Sequence, residues 1–412
     1  MHFRGRRMQR LACDVCLFVE IGQMASSYRV FDSIEGVDLA AWELVRSACG
    51  SSIFMDPRFI AAAEISMKQN CRFWYVIVYD DSGRPAACAC LTATTIDLAD
   101  VAGIAAPRVA SAIRRVPETL SRFRKLRTLV CGLPGAPGEK NLALALTDAV
   151  PQVLAVLDRV ICDLAACTET DVIAYKQFGK DDLSSVDRLQ DLGYLRIPIH
   201  PMHFFSPSFQ DFAHYCAALN TRYRKHIKRS MRKLESAGVN LSILTDPEEI
   251  LRVYTSEVHA LYYQMAARAE VNVELLPIEF FHQLTLRLRR EVELLVLSKD
   301  STVVAIGWCL HTGSAYYMLY AGLDYRLNSE FDLYFNLMYA ALDRALRKRV
   351  SRIHVGQGGT AFKARLGCYS EPLYGFIKGH GPFMSRLIRY TSNFLLAEMP
   401  AHPIFDIFKK GQ

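Results

Sequence analysis

Apolar and polar positions follow the same pattern twice along the chain. Residues 73–91 and 293–310 each contain two β-rich runs joined by a short polar stretch, which is the pattern of a β-hairpin. At an offset of 219 residues the hairpins share four identities: Asp81 with Asp300, Ser82 with Ser301, Cys90 with Cys309 and Leu91 with Leu310. The shared pattern indicates an internal repeat.

Helical periodicity precedes both hairpins, and further elements follow them. Helices are predicted over residues 39–49 and 57–68 in the first half and over 248–269 and 278–290 in the second. The later elements are a strand at 126–131 in the first half and, in the second, a strand at 314–322, an amphipathic helix at 330–348 and a strand at 353–355. Two copies of a helix-helix-hairpin-strand-helix-strand unit therefore describe the chain.

This order of elements predicts an α/β (α+β) protein with two domains. A chain of 412 residues is also too long for one ordinary core. Three prolines interrupt the pattern where the two copies join: Pro198, Pro201 and Pro207. The predicted division is a leader (1–25), an N-terminal domain (26–197), a C-terminal domain (198–390) and a tail (391–412).

Composition narrows the class of protein. A hydrophobic fraction of 51% is typical of a globular chain, and a net charge of +7 is too modest at this length to favour nucleic acid by itself. Most of the twelve cysteines fall inside apolar runs, as buried free thiols do in a reducing cytosol. We therefore expect a cytoplasmic protein, and no metal site, because Cys13 and Cys16 lack a second ligand pair at zinc-finger spacing.

Two apolar stretches resemble targeting or membrane segments but carry charges. Asp14 and Glu20 interrupt the apolar part of residues 1–23, which argues for a leader rather than a signal peptide. The most apolar later stretch, 142–166, contains three aspartates, an arginine and a proline, so it is not predicted to span a membrane.

Two glycine-rich segments are candidate ligand loops. Residues 356–367 follow the predicted strand at 353–355, and glycines there would let the backbone approach an anionic or carbonyl-bearing ligand while Lys363 and Arg365 add positive charge. A plain turn with a solvated lysine is the alternative. In the first half, the loop at 132–138 is predicted to lead into a helix near Asn141, an arrangement that suits a phosphate, although its two prolines also fit a simple connection.

A strongly basic helix is predicted over residues 222–233, which contain seven Lys or Arg. Ile227, Met231 and Leu234 form its expected apolar stripe, with an N-cap at Asn220 and a stop at Gly238. Three interpretations remain open: a solvated face, an RNA contact, or a clamp on a phosphorylated or carboxylated substrate.

The second half resembles the tandem GNAT-like acyltransferases of the Fem type, in particular the BioF-type acetyltransferase domain of bacterial biosynthetic proteins. The resemblance spans about residues 210–380, whereas the first half resembles the family through architecture alone. It rests on the basic helix with Arg224 and Lys225, the hairpin at 299–301, the segment 316–324, the helix after Ser329, and the segment 354–367.

The resemblance implies two GNAT-like domains, each with a mixed, mostly antiparallel central sheet flanked by helices. Family members transfer an acyl or aminoacyl group from acyl-CoA or aminoacyl-tRNA to an amine, and both donors are polyanions. By resemblance, Tyr320 and Asp324 line the cleft, with Asp324 as the candidate base and Lys363 stabilising developing charge. The expected donor- or substrate-binding residues are Arg222, Arg224, Lys225, Gly356, Gln357, Gly358, Gly359, Thr360, Gly132, Gly135 and Gly138.

The resulting hypothesis is an acyl-CoA-dependent N-acyltransferase acting on a small-molecule amine. Acetyl-CoA or another acyl-CoA is expected as co-substrate, with no bound cofactor and no DNA partner. No long heptad insertion follows the basic helix, which favours acyl-CoA over tRNA. The alternatives are an aminoacyl-tRNA-dependent transferase and a non-catalytic protein that binds RNA or an acidic partner.

A peripheral membrane role through the C-terminal segment is a further alternative. The segment contains apolar Phe383, Leu387, Ile388, Phe394 and Leu395, and basic Lys378, Arg386 and Arg389. An amphipathic helix that docks on its own domain explains this composition more simply.

Overall fold

The protein is described by a computed structural model covering residues 27–50, 52–97, 115, 125–145, 149–268, 275–395 and 405–409. The predicted leader lies outside the described residues. The strands are Tyr28–Phe31 (β1), Arg72–Tyr79 (β2), Pro85–Asp97 (β3), Lys125–Cys131 (β4), Leu142–Leu144 (β5), Val172–Gly179 (β6), Leu195–Phe205 (β7), Asn240–Leu244 (β8), Val292–Lys299 (β9), Thr302–His311 (β10), Ala315–Leu323 (β11), Arg352–Gly356 (β12) and Tyr369–Gly379 (β13).

Helices cover the sheet formed by these strands. They are Leu39–Ala48 (α1), Pro57–Met67 (α2), Val150–Cys167 (α3), Leu183–Val186 (α4), Phe212–Ala218 (α5), Thr221–Ser236 (α6), Pro247–Val253 (α7), Ser256–Ala266 (α8), Ile278–Leu288 (α9), Tyr325–Phe331 (α10), Leu333–Arg347 (α11), Thr360–Arg365 (α12) and Pro382–Leu395 (α13). The predicted α/β class with a mixed, mostly antiparallel sheet is confirmed.

Both predicted hairpins are confirmed. The strands β2 and β3 pair antiparallel, as do β9 and β10. Asp300 and Ser301 form the second turn with φ values of 48° and 64°, the left-handed conformation that a two-residue hairpin turn of matching twist requires. In the first turn, Asp80 instead accepts hydrogen bonds from the backbone N–H groups of Ser82 and Arg84.

The two halves exchange a strand. Within each half two strands pair in parallel, β4 with β6 and β11 with β12. The next strand along the chain then pairs with the other half: β7 lies antiparallel to β12, and β13 lies antiparallel to β6. Because β7 and β13 also pair with each other, all of these strands belong to one continuous sheet.

The exchange bears on the predicted domains. The predicted join at residues 197 and 198 falls inside β7, which runs from Leu195 to Phe205. Part of the predicted tail packs on the second half: Ile407 is 2% exposed, and its carbonyl accepts a hydrogen bond from the backbone N–H of Asn220. The Asn220 side chain donates to the carbonyl of Asp406 rather than capping α6.

The helix predicted near Asn141 is wrong, and two other predicted helices are each divided into two. Asn141 is followed by the short strand β5, which pairs with β3, and α3 begins only at Val150. Asn141 is 1% exposed because its side chain accepts from Leu133 N and donates to Phe54 O, which fixes an extended segment. The predicted helix at 248–269 divides after Val253, and a left-handed residue, Asp332 (φ 52°), separates α10 from α11.

Apolar packing covers both faces of the sheet. On one face, a single cluster draws residues from both halves, and Phe54 of the first half packs edge-on against Tyr317 of the second, with ring centroids 5.2 Å apart. On the other face, α6 and α11 enclose a cluster that includes Ile227 and Leu337. Among the described residues, none of the helices combines the length and apolarity needed to cross a membrane.

Close packing of α8 on β11 requires glycine at position 322. An added Cβ would lie 2.5 Å from Tyr262 N and 2.7 Å from Leu261 C, both backbone atoms. We expect Gly322→Ala to lower the free energy of unfolding by about 2 kcal/mol, because a helix backbone cannot yield as a side chain does. Gly313→Ala, where no atom lies within 4 Å, is the control for chemical denaturation. Equal stability of the two variants would contradict the packing argument.

Candidate active site

The two parallel strands of the second half diverge. Their pairing covers three positions, from Ala315 with Arg352 to Tyr317 with His354. Beyond it, β11 carries a bulge, since Trp308 faces Tyr320 and Cys309 faces Met318, which leaves an extra residue on β11. From Met318 to Leu323, β11 has no strand partner on this side among the described residues. Beyond Met318, whose carbonyl oxygen lies near Gly356, the backbone of β11 is therefore unpaired beside the loop after β12, and we call this space the gap.

The loop at 356–359 forms the second wall of this gap. Gly356, Gly358 and Gly359 have φ values of 81°, 68° and 60°, so the left-handed backbone of this loop requires glycine. The predicted location of these residues directly after a strand is confirmed. Gly358 has no atom within 4 Å of an added Cβ, which leaves room for a ligand at this wall.

Lys363 holds the loop at 356–359 through hydrogen bonds made from the protein interior. It lies on α12, is 3% exposed, and its Nζ donates to Gly356 O (2.7 Å) and Gln357 O (2.8 Å). The solvated-lysine alternative is therefore wrong. Burial disfavours the charged amine and lowers the pKa of Lys363 to about 7. An ammonium group has three N–H donors, so one remains after the two loop carbonyls.

Both halves of the molecule hold the loop. Gln357 donates to His200 O at 2.7 Å and accepts from Gln177 Nε2 at 3.2 Å. The Nδ1 atom of His203 on β7 lies 3.0 Å from Gly356 O. The strand exchange therefore places side chains of β6 and β7 around a loop that belongs to the second half.

A carboxyl-imidazole pair, with His354 buried and Glu139 largely buried, lies beside the closed end of the gap. Glu139 Oε1 is 3.5 Å from Nδ1 of His354, a residue of the last pair that joins β12 to β11. His354 Nδ1 has no hydrogen-bond partner in the described structure. Burial raises the pKa of Glu139 to about 7 and lowers the pKa of His354 to about 3. The carboxyl group of Glu139 can therefore gain or lose a proton near neutral pH, whereas His354 stays neutral.

Sequence reasoning missed this pair. Glu139 directly follows the glycine loop at 132–138, and an acid ending a loop of glycines and prolines was the available signal. His354 was noted only as part of a strand and as the start of the segment 354–367 that carries the resemblance, without a role of its own. Neither residue falls at a motif spacing, because they approach each other from opposite halves of the sheet.

The first-half glycines pack closely against neighbouring side chains. A Cβ at Gly132 would meet Lys176, one at Gly135 would lie 2.5 Å from Phe280, and one at Gly138 would meet Met202. The loop also accepts a hydrogen bond from Lys176 Nζ at Leu133 O (2.6 Å). Because no helix begins at its end, the premise of the phosphate prediction is wrong for this loop.

Asp324 and Tyr320 are engaged in other contacts. Asp324 caps α10 by accepting from Arg326 N at 3.0 Å, and Arg326 Nη2 donates to its Oδ2 at 2.6 Å. These hydrogen bonds from Arg326 lower the pKa of Asp324. Tyr320 packs edge-on against Tyr262 and Phe281, on the face of the sheet opposite α6.

The basic helix α6 lines a pocket of about 560 Å³ together with α11 and α12. Its cations are Arg222, Lys225, Arg229 and Arg365, and its aromatic walls are Tyr223, Phe335, Tyr339, Phe362 and Phe405. No carboxylate among the described residues lies within ion-pair distance of these four cations. Of the three predicted basic residues, Arg222 and Lys225 line the pocket, whereas Arg224 does not.

The predicted apolar stripe of α6 is partly wrong. Ile227 is buried, but Met231 is 46% exposed and Ser230 is fully buried instead. Asn336 on α11 donates to the Ser230 carbonyl at 3.1 Å, so a polar contact occupies the position that the pattern assigned to an apolar one. With Ser230 rather than Met231 facing the interior, the cations at positions 222, 225 and 229 line the pocket.

Burial of Lys363 predicts a pH-dependent stability. Its folded pKa of about 7 lies below its ordinary value, so between pH 7 and 10 the unfolded chain binds more protons and the free energy of unfolding rises with pH. We expect this slope to be smaller in Lys363→Met by about 1 kcal/mol per pH unit above pH 8.

Lys299 provides the matched control for denaturation across this pH range. Its Nζ also donates to a backbone carbonyl, that of Ala237 at 3.0 Å, but its side chain is 33% exposed. Lys299→Met should keep the wild-type slope. An unchanged slope in Lys363→Met would mean that Lys363 stays protonated in the folded protein.

Two solved structures share this fold over almost their whole length. FemX is 11% identical, with 86% of this chain and 98% of FemX covered and a TM-score of 0.53. A tandem GNAT protein from the clavulanic acid biosynthesis pathway is 12% identical, with 87% and 99% covered and a TM-score of 0.50. These likenesses show the predicted tandem GNAT-like fold.

Comparison with curated proteins gave no match. A family model does match: the FemAB-like family, described as peptidoglycan biosynthesis/recognition, aligns with residues 129–393. The match covers more than half of the chain: it begins within β4 and includes both glycine loops, α6, β11 and β12. The chain therefore belongs to the FemAB-like family.

Proposed function

We propose that this protein is an N-acyltransferase that moves an acyl group from acyl-CoA to an amine of a small molecule or biosynthetic intermediate. The family and the fold support an acyltransferase-type function. The observation that carries the proposal is the gap between β11 and the loop at 356–359. An extended acyl donor can hydrogen-bond to the backbone of β11 there as an added strand would. We place the reaction in the cytoplasm, where buried free thiols stay reduced.

The pocket under α6 suits the nucleotide part of such a donor. Phosphates attract unpaired arginines and lysines, and an adenine ring stacks on aromatic side chains. Arg222, Lys225 and Arg365 provide the charge, and Phe335 and Phe362 provide the aromatic faces. Phe362 directly precedes Lys363, so a donor held in the pocket contacts the residue next to the lysine that holds the glycine loop.

The chemistry requires a place for one proton and one negative charge. The amine nitrogen attacks the thioester carbonyl, a C–N bond forms, the C–S bond breaks, and CoA leaves as its thiolate or thiol. The backbone N–H groups of β11 beyond its pairing with β12 supply donors for the transient oxyanion, and Lys363 fixes the facing glycine loop through its two hydrogen bonds. Positioning of the amine beside the thioester supplies much of the remaining acceleration.

We assign the proton to Glu139 rather than to Asp324. A general base works best when its pKa lies near the operating pH, and the pKa of Glu139 is about 7. The carboxylate of Asp324 is held by Arg326 and by the start of α10, and its lowered pKa makes it a weak base. Nδ1 of His354 lies 3.5 Å from Glu139 and the imidazole is neutral at this pH, so it can exchange a proton with the carboxyl group.

An aminoacyl-tRNA donor is the second candidate. The cations of α6 continue beyond the pocket, where Arg229, Arg232 and Lys233 line a further concavity of about 480 Å³. A longer polyanion than CoA would use both surfaces. Binding of RNA or an acidic partner without catalysis would use the same helix.

Donor binding separates these candidates. We expect acyl-CoA to raise the melting temperature of the protein, and Arg222→Ala with Lys225→Ala to weaken its binding about tenfold or more because two phosphate contacts are lost. Arg224→Ala, on the same helix but outside the pocket, is the control. Stabilisation by aminoacyl-tRNA and not by acyl-CoA would replace the donor. Salt-dependent RNA binding with no turnover of either donor would favour the non-catalytic alternative.

The base assignment predicts a pH profile. With the donor that stabilises the protein and a panel of primary amines, kcat/KM should rise with pH to a plateau above about pH 7, because Glu139 must lose its proton first. Glu139→Gln should lower kcat by a factor of about 10² to 10⁴ and remove this limb. Asp324→Asn should keep the limb and lower stability only. The reverse pattern in the two variants would return the role to Asp324.

A further inference from the structure

Strand β6 of the first half contains a bulge. Its register against β13 shifts between Tyr374 and Phe376, so that Lys176 and Gln177 of β6 stand opposite one residue of β13. Gln177 has a φ of 68°, in the left-handed region that residues other than glycine, asparagine and aspartate rarely adopt. Backbone strain of this kind persists only where the surrounding contacts require it, and it concentrates at functional sites.

The two bulged residues hold the segment that contains Glu139. Lys176 Nζ donates to Leu133 O at 2.6 Å, near the start of the loop at 132–138. Gln177 Oε1 accepts from the backbone N–H of Glu139 at 3.2 Å, at the residue that follows the loop. Both ends of this loop are therefore fastened to one bulge in β6.

The same glutamine reaches the second half. Its Nε2 donates to Gln357 Oε1 at 3.2 Å, and Gln357 Nε2 donates in turn to His200 O at 2.7 Å. Lys363 Nζ donates to the main-chain carbonyl of Gln357 at 2.8 Å. One side chain thus connects the backbone of Glu139 to the glycine loop at 356–359.

Each amide in this chain of hydrogen bonds has one orientation. A backbone N–H only donates, so it fixes the amide oxygen of Gln177 toward Glu139 and the amide nitrogen toward Gln357. A backbone carbonyl only accepts, so it fixes the amide nitrogen of Gln357 toward His200. Donors and acceptors match along the whole chain, and a carboxylate in place of either amide would break one of its links.

We propose that Gln177 is a positioning residue that sets the place of Glu139 relative to the glycine loop, and with it the distance between the proposed base and the donor. A glycine would adopt the same φ without strain, so the backbone of β6 gives no reason for a glutamine here, whereas its two hydrogen bonds do. The role of Glu139 as base rests on the proposed function. The link between the two loops does not.

Hydrogen exchange, measured by mass spectrometry on the full chain, tests this link without a substrate. Gln177→Gly removes both side-chain hydrogen bonds but relieves the backbone strain, so the melting temperature should change by no more than about 3 °C. Backbone amides in both segments, 132–140 and 356–360, should still exchange at least about fivefold faster, because each segment loses a contact that opposes local opening. Glu169→Gly is the control, since Glu169 is also left-handed (φ 50°) but its side chain is 80% exposed. It should leave exchange in both segments unchanged.

Kinetics with the donor that stabilises the protein separate positioning from stability. Gln177→Gly should lower kcat at least about tenfold and change the KM for the donor by less than about twofold, because the base is displaced and the pocket under α6 is not. Gln177→Glu keeps the size of the side chain but places a second carboxylate beside Glu139. The rising limb of kcat/KM should therefore move to higher pH by about one unit. Glu169→Gly should keep the wild-type kcat and pH profile.

The outcomes distinguish this proposal from the proposed function. Faster exchange in only one of the two segments of Gln177→Gly, or in neither, would overturn the positioning role. An equal loss of kcat in Glu169→Gly would overturn it as well, because the loss would then follow from the backbone change alone. Faster exchange in both segments, with no turnover of acyl-CoA or aminoacyl-tRNA by the wild type, would keep the link between the loops and reject the proposed reaction.

Discussion

Reciprocal pairing of β7 and β13 is the constraint on which the rest of the molecule depends. Each half alone would end in an open strand edge with unpaired N–H and C=O groups, which is costly and prone to aggregation. Because each half supplies the strand that closes the other, both edges are satisfied in one sheet. The halves cannot part without breaking three ladders. The loops that follow β4 and β12 are held against one another as a result.

This junction holds a buried lysine of one half and a largely buried carboxyl group of the other half without an ion pair between them. Lys363 is satisfied by two carbonyls of its own loop, and Glu139 faces a neutral imidazole. Desolvation is the largest influence on both groups and disfavours their charged forms, so the pKa of Lys363 falls to about 7 and that of Glu139 rises to about 7, although Arg352 and Lys140 oppose the rise at Glu139. Such groups contribute less to the free energy of unfolding than a packed pair of apolar side chains would. They keep titratable protons beside the gap, which is a property of use to a transferase and not to a core.

Local pattern predicted the elements well and their long-range pairing poorly. Hairpins, α1, α2, α6 and the strand before the glycine loop follow from residues that are neighbours in sequence. The exchange of β7 and β13 depends on partners that are about 150 residues apart in the case of β7 and β12, and periodicity carries no information about such pairs. Asn141 was assigned to a helix because a glycine loop often precedes one, whereas its buried side chain fixes a strand. Glu139 and His354 were missed for the same reason as the exchange, since the sheet alone brings them together.

The two duplicated units differ in structure at their glycine loops, although each exchanges a strand with the other. In the first half the loop after β4 is packed against Phe280, Met202 and Lys176, so among the described residues no comparable space opens at this loop. In the second half the corresponding strands diverge and the glycine loop faces open space. The closed unit thus supplies a carboxyl group and the side chains that hold the loop, and the open unit supplies the groove and the cations. A variant that separated the units would therefore move Glu139, the proposed base, away from the gap in the second half.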